Sequence, residues 1–144
     1  MCGAPSDRGN GKRVVSASRS QLRERRPAVA QCIGPLRRAV VQVAARAGVC
    51  GRQLDDIALA VSEAVANAVR HAYPPGAPGT VTVDARVDDR VLEVLVCDEG
   101  SGMPAPSEQP GSGLGLLIIA RVTDSLELRD AAPGVELRMA FRIG

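Results

Sequence analysis

Glu63, Asn67 and His71 stand four residues apart, with Arg70 beside them. On a helix turning by ~100° per residue, these side chains form one polar stripe. It lies roughly 120° from the line of Ile57, Val61, Ala64 and Ala68. One side of that helix can face a core while the other presents a carboxylate, a carboxamide and two basic groups. Ordinary surface polarity also makes such stripes. Here Ala60, Ala64, Ala66 and Ala68 keep the helix slim, so that a ligand can approach its backbone.

Asp98 follows a run of apolar residues and opens Asp98-Glu99-Gly100-Ser101-Gly102. An acid at the end of a buried strand is costly without a donor partner. A carboxylate held there accepts a hydrogen bond from an exocyclic amine such as adenine N6. Gly100 and Gly102 allow backbone to lie against a flat ring, although a plain turn explains the same residues. A third group, Gly111-Ser112-Gly113-Leu114-Gly115-Leu116, runs into a helix. Glycines at a helix N-terminus leave N–H groups and the positive end of the dipole open to phosphate. The segment is not a dinucleotide fingerprint: the spacing is G-x-G-x-G and no strand precedes it. It is not a P-loop either, because Lys12 is the only lysine.

The elements that must position these groups follow from periodicity. Ile33, Leu36, Val40, Val43 and Ala44 predict an amphipathic helix over 28–47, broken by Gly48 and Gly51. A second helix is predicted over 54–72, with Asp55 or Asp56 as N-cap and Pro74-Pro75-Gly76 as its stop. Val81, Val83, Ala85 and Val87 alternate with polar residues in a half-buried strand. After a tight turn at Asp88-Asp89-Arg90, residues 91–97 form an apolar strand set deeper in a sheet. The segment 98–113 is loop, followed by a helix over 114–124 and a strand near 125–128. A turn at 130–134 leads to a last strand with Val135, Leu137, Met139, Phe141 and Ile143 on one face. The sum is an α+β plan: one mostly antiparallel sheet with helices on one face.

Composition bounds the partners. The chain has 144 residues, 45% hydrophobic and 24% charged, which suits one globular domain with one core. Tyr73 and Phe141 are the only aromatics, which weighs against stacking platforms for single-stranded nucleic acid. A net charge of +2 is too small to imply a nucleic-acid partner for the whole chain. The basic excess is local: Arg8, Lys12, Arg13, Arg19, Arg23, Arg25 and Arg26 crowd a segment read as a flexible tail over 1–26, with a short strand at 14–17. Cys2, Cys32, Cys50 and Cys97 show no metal-binding spacing and read as small hydrophobes in a reducing compartment. With no signal-peptide pattern and no bilayer-spanning run, the expected location is the cytoplasm, without membrane contact.

In their order along the chain, Glu63-x-x-x-Asn67, Asp98-x-Gly100-x-Gly102 and Gly111-x-Gly113-Leu-Gly115-Leu resemble the N, G1 and G2 boxes of the GHKL ATPase superfamily. The resemblance covers residues 27–144 and implies an ATP-binding domain of the Bergerat type, a two-layer α/β sandwich. Within the superfamily, the stretch 59–73 is most similar to bacterial anti-sigma-factor serine/threonine kinases. That likeness implies ATP and Mg²⁺ as cofactors, with a sigma factor and an anti-sigma-factor antagonist as partners, and a homodimer. It further implies that Asn67 ligates Mg²⁺ and Asp98 reads adenine. Gly100, Gly102, Gly113, Leu114 and Gly115 would shape the pocket, and Glu63 would be the base for a serine hydroxyl. One Asn plus the phosphates is a chemically ordinary Mg²⁺ site, since Mg²⁺ prefers oxygen ligands and keeps waters. Arg70 would meet phosphate or pair with Glu63, and His71 would close the helix. The loop 103–110 is short, and Gly134-Val135 stands where the superfamily has Gly-Thr. These departures keep a second reading open, an ATP-binding module that sequesters a partner without transfer. A detached histidine-kinase catalytic domain is disfavoured, because the one histidine lies in the ATP helix.

Overall fold

A computed structural model describes residues 21–71, 79–100, 112–131 and 133–144. The order is β1 (Gln21–Pro27), a single 3-10 turn (Ala30–Cys32), α1 (Ile33–Arg46), α2 (Gly51–His71), β2 (Thr80–Asp88), β3 (Val91–Asp98), α3 (Ser112–Val122), β4 (Ser125–Ala131) and β5 (Gly134–Arg142). The five strands pair antiparallel in the order β1-β2-β3-β5-β4. Helices pack on one face of the sheet, so the expected α+β plan of two layers stands.

Alternation decides which face is covered. Val81, Val83, Ala85, Leu92, Val94, Val96, Leu137, Met139 and Phe141 are buried beneath the helices. From above, Leu36, Val40, Val43 and Ala44 of α1 and Ile57, Val61, Ala64, Val65 and Ala68 of α2 meet them in one core. Pro35 is tolerated in the first turn of α1, where N–H groups lack helical partners. That helix ends in a Schellman motif: Gly48 has φ +96°, its N–H donates to Ala45, and the Val49 N–H reaches back to Ala44.

The opposite face of the sheet is mixed and carries a group of ion pairs. Glu93 of β3 accepts from Arg86 at 2.7 Å and Arg138 at 3.2 Å, and Arg138 also nears Glu127 at 3.8 Å. Partly exposed pairs of this kind add little stability. β3 is the third of five strands, as its apolar run predicted.

Several expectations need correction. Residues 21–26, assigned to the basic tail, belong to edge strand β1, in register from Gln21↔Arg86 to Pro27↔Thr80. Leu22 is its one apolar anchor, and Arg23, Glu24, Arg25 and Arg26 fill most of the rest, as an edge strand profits from charge. The expected strand at 14–17 lies outside the described residues. α2 begins at Gly51 rather than 54, so Asp55 and Asp56 lie inside it. Its first turn is tied to the sheet by the Gln53 side-chain amide, which donates to the Arg142 carbonyl. α3 begins and ends two residues early, since Asp124 is taken by β5: its N–H donates to Ala140 and its carboxylate accepts the Arg142 N–H at 2.6 Å.

The β2–β3 connection is a two-residue turn with Asp89 at φ 45° and Arg90 at φ 64°. Both are left-handed, the geometry of a type I′ hairpin that favours glycine second. Arg90→Gly is expected to stabilise the protein by about 1 kcal/mol, raising the thermal midpoint by roughly 2–4 °C in calorimetry. A fall in the midpoint would contradict the turn geometry.

The cysteines divide. Cys32 is a buried free thiol, as expected, and Cys50 is exposed before α2. Cys97 lies on the mixed face of β3, where desolvation, aided by Glu136, Asp84 and Asp98, pushes its thiol up to about 11. Its alkylation by iodoacetamide near neutral pH is expected to be roughly 100-fold slower than that of an unperturbed thiol, measured by mass spectrometry of the Cys97 peptide.

Candidate active site

α2 and α3 bring two of the three motifs together. Glu63 and Asn67 are half-buried, one helical turn apart. Gly115, buried in the first turns of α3, lies directly against both. A Cβ added there would stand 3.0 Å from Glu63 Oε2 and 3.4 Å from each polar atom of the Asn67 amide. A side chain there would press on the tips of Glu63 and Asn67, which would have to give way, and the start of α3 brings its open N–H end near a carboxylate and a carboxamide.

The third motif is organised by β3 and β5. Asp98 ends β3, half-buried, and its Oδ1 accepts two backbone hydrogen bonds. One comes from Gly100 N–H at 2.9 Å, the other from Val135 N–H at 3.3 Å. Both fall on one oxygen, which leaves Oδ2 to accept from a ligand. Burial raises the Asp98 pKa above its ordinary value, and the Gly100 and Val135 N–H groups oppose that rise. The resemblance pointed to Gly134-Val135, but neither the Val135 N–H donor nor the close packing of Gly134 was foreseen. The residue after a turn showed as a glycine, but a main-chain donor leaves no mark in a sequence.

Other assigned residues are placed less fully. Gly113 lies in the first turn of α3, and Leu114 is 64% exposed, so its side chain contributes apolar surface beside the site. Gly102 and Gly111 lie outside the described residues, as does the loop 103–110. Arg70 donates Nε to the Ala66 carbonyl one turn back, at 3.4 Å. Among the described residues it forms no ion pair with Glu63, contrary to one expectation. The helix-closing role of the His71 side chain lies outside the described residues. A link not anticipated joins α1 to α2, Arg37 Nη1 donating to Ser62 Oγ at 3.4 Å beside Glu63.

An antiparallel sheet under helices, with a carboxylate and carboxamide on one helix meeting the glycine-rich start of another, is the arrangement of a histidine-kinase-like ATPase. A family model described as the histidine kinase-like ATPase domain matches residues 27–141, and the chain belongs to that family. ATP binding follows from that membership. Among relatives, the chain is similar to the serine-protein kinase RsbW of Bacillus subtilis, 30% identical over 128 residues, covering 78% of this chain and 79% of the relative. RsbW of Bacillus pumilus is 32% identical over 130 residues, covering 78% and 80%. An anti-sigma F factor of Clostridium acetobutylicum is 34% identical over 87 residues, 53% of this chain and 60% of that protein. Two solved structures share the fold. The RsbU and RsbW domains of a Mycobacterium tuberculosis protein give a TM-score of 0.68 at 22% identity, spanning 85% of this chain but 32% of that one. A histidine kinase domain from a blue-light activated kinase of Erythrobacter litoralis gives 0.59 at 24%, spanning 81% and 61%. No described helix is long and apolar enough to cross a membrane.

Proposed function

We propose that this chain is an ATP-dependent protein-serine/threonine kinase and anti-sigma regulatory factor of the cytoplasm, binding a sigma factor and phosphorylating an anti-sigma-factor antagonist. The observation that supports the reading is the approach of Gly115 to Glu63 and Asn67, which brings a carboxylate and a carboxamide together at the glycine-rich start of α3.

In this reading Asn67 offers its side-chain oxygen to Mg²⁺, and Mg²⁺ when bound neutralises charge on the phosphates. The bare Cα of Gly115 leaves both side chains room to turn toward the ligand. Asp98 Oδ2 accepts from the adenine amino group while Oδ1 stays on the backbone. Glu63 takes the proton of the acceptor serine as that oxygen attacks the γ-phosphorus and ADP departs. In this reading β1, residues 21–27, is counted with the ATP domain, because it pairs with β2.

Incubation with labelled Mg·ATP and candidate antagonist domains tests the proposal, phosphoserine on an antagonist being the expected product. Val135 favours a second reading, sequestration without transfer, because its side chain offers no hydroxyl where the superfamily has threonine. ATP binding with no transfer to any antagonist would select it.

A further inference from the structure

We propose that Gly134 is a positioning residue for nucleotide binding: its bare Cα lets β5 begin against the end of β3, so that the Val135 N–H fixes the Asp98 carboxylate. The inference rests on the reading of Asp98 as the acceptor for the adenine amino group.

The β3–β5 ladder runs from Val91↔Arg142 to Cys97↔Glu136 and stops there. One step further Asp98 stands opposite Val135, and the Val135 N–H donates to the Asp98 side chain. The donor that would continue the ladder has thus been given to the functional carboxylate. Together with the Gly100 N–H it fixes the plane of the carboxylate and the direction of Oδ2.

This arrangement needs an unusually close approach. A Cβ on Gly134 would lie 1.8 Å from the Asp98 carbonyl oxygen, 2.5 Å from its carbonyl carbon and 2.8 Å from Oδ1. Two of these atoms are main chain and the third is the anchored oxygen, so none can swing aside as a flexible side chain would. Gly134 is not among the residues with positive φ, so glycine serves here for space and not for an unusual backbone conformation. Gly134 also pairs with Ala131 to close the β4–β5 hairpin. A side chain at 134 therefore pushes the whole start of β5, and the Val135 donor with it, away from Asp98.

Gly134→Ala tests this by calorimetric titration with ADP. The expected result is roughly tenfold weaker binding at neutral pH. The acid limb of affinity should also move to higher pH, because one donor that favours the charged carboxylate is lost. In an Asp98→Asn background the same change should cost less than about twofold, since Gly134 acts through Asp98. Wild-type affinity and pH profile in Gly134→Ala would overturn the proposal, as would an equal loss in both backgrounds. Unchanged affinity in Asp98→Asn alone would instead overturn the adenine reading beneath it. Should Gly134→Ala not fold, NMR of the unaltered protein decides. The Val135 amide signal should titrate with Asp98 and lose that response in Asp98→Asn; a Val135 amide silent to Asp98 ionisation refutes the positioning role.

Discussion

Glu63→Gln is expected to reduce phosphoryl transfer to a protein serine by about 10²–10⁴-fold while ATP affinity stays within about twofold. Glutamine keeps the size of the side chain, so the packing against Gly115 and the fold of α2 survive. What disappears is the ability to take a proton as the serine oxygen attacks. The loss should therefore fall on kcat, with the KM for ATP nearly unchanged, because the base acts in the transition state. Single-turnover transfer from labelled ATP, beside equilibrium binding of ADP, separates the two quantities. A Glu63→Gln protein that phosphorylates at the normal rate would remove Glu63 from the chemistry. One that no longer binds nucleotide would make it a structural or metal-holding group.

Asp98→Asn is expected to weaken nucleotide binding by about 2 kcal/mol, roughly 30-fold. The geometry makes this substitution harsher than its shape suggests. Gly100 and Val135 both donate to Oδ1, so the asparagine must turn its one oxygen toward them. Its amide nitrogen then occupies the place of Oδ2 and meets the adenine amino group donor to donor. ADP titration measures the loss, and an inosine nucleotide, which carries an oxygen at that position, should lose less. The pH dependence has a definite sign. Burial raises the Asp98 pKa in the free protein, so its acid form is favoured by folding. That contribution to stability is full below the unfolded pKa and fades as pH rises through the folded value. Binding requires the carboxylate, so nucleotide affinity should fall as pH drops through the raised value, beginning above the usual range for aspartate. Affinity independent of pH across that range would contradict the role given to Asp98.

Much of the fold was legible because its periodicities are clean. The alternation in β2 and β5 and the threefold and fourfold spacing in α1 and α2 reappear as buried faces. β1 was hidden by its composition. Its apolar content is Leu22 alone, and a strand that lives by pairing with Thr82 and Asp84 carries no strong hydrophobic signal. Helix ends moved by two or three residues wherever a distant partner decided them, as Arg142 does for Gln53 and for Asp124. In the site, Glu63, Asn67, Asp98 and Gly115 were readable as residue types at telling intervals. The meeting of Gly115 with Glu63 and Asn67 was not, since it depends on how α3 crosses α2. Val135 acts through its amide, and every residue but proline has one.

The arginine-rich β1 bears on how this protein should be trimmed for experiment. Along β2 the inward residues Val81, Val83 and Ala85 are almost wholly sheltered, and β1 is the neighbour that occupies their strand's outer edge. The family match begins at residue 27, the last position of that strand. A fragment cut to the family boundary would discard the guard and leave β2 as an open, apolar-backed template for other chains. A cut before Gln21 keeps it. What looks in the sequence like disposable basic leader is, from Gln21 onward, the hem of the sheet.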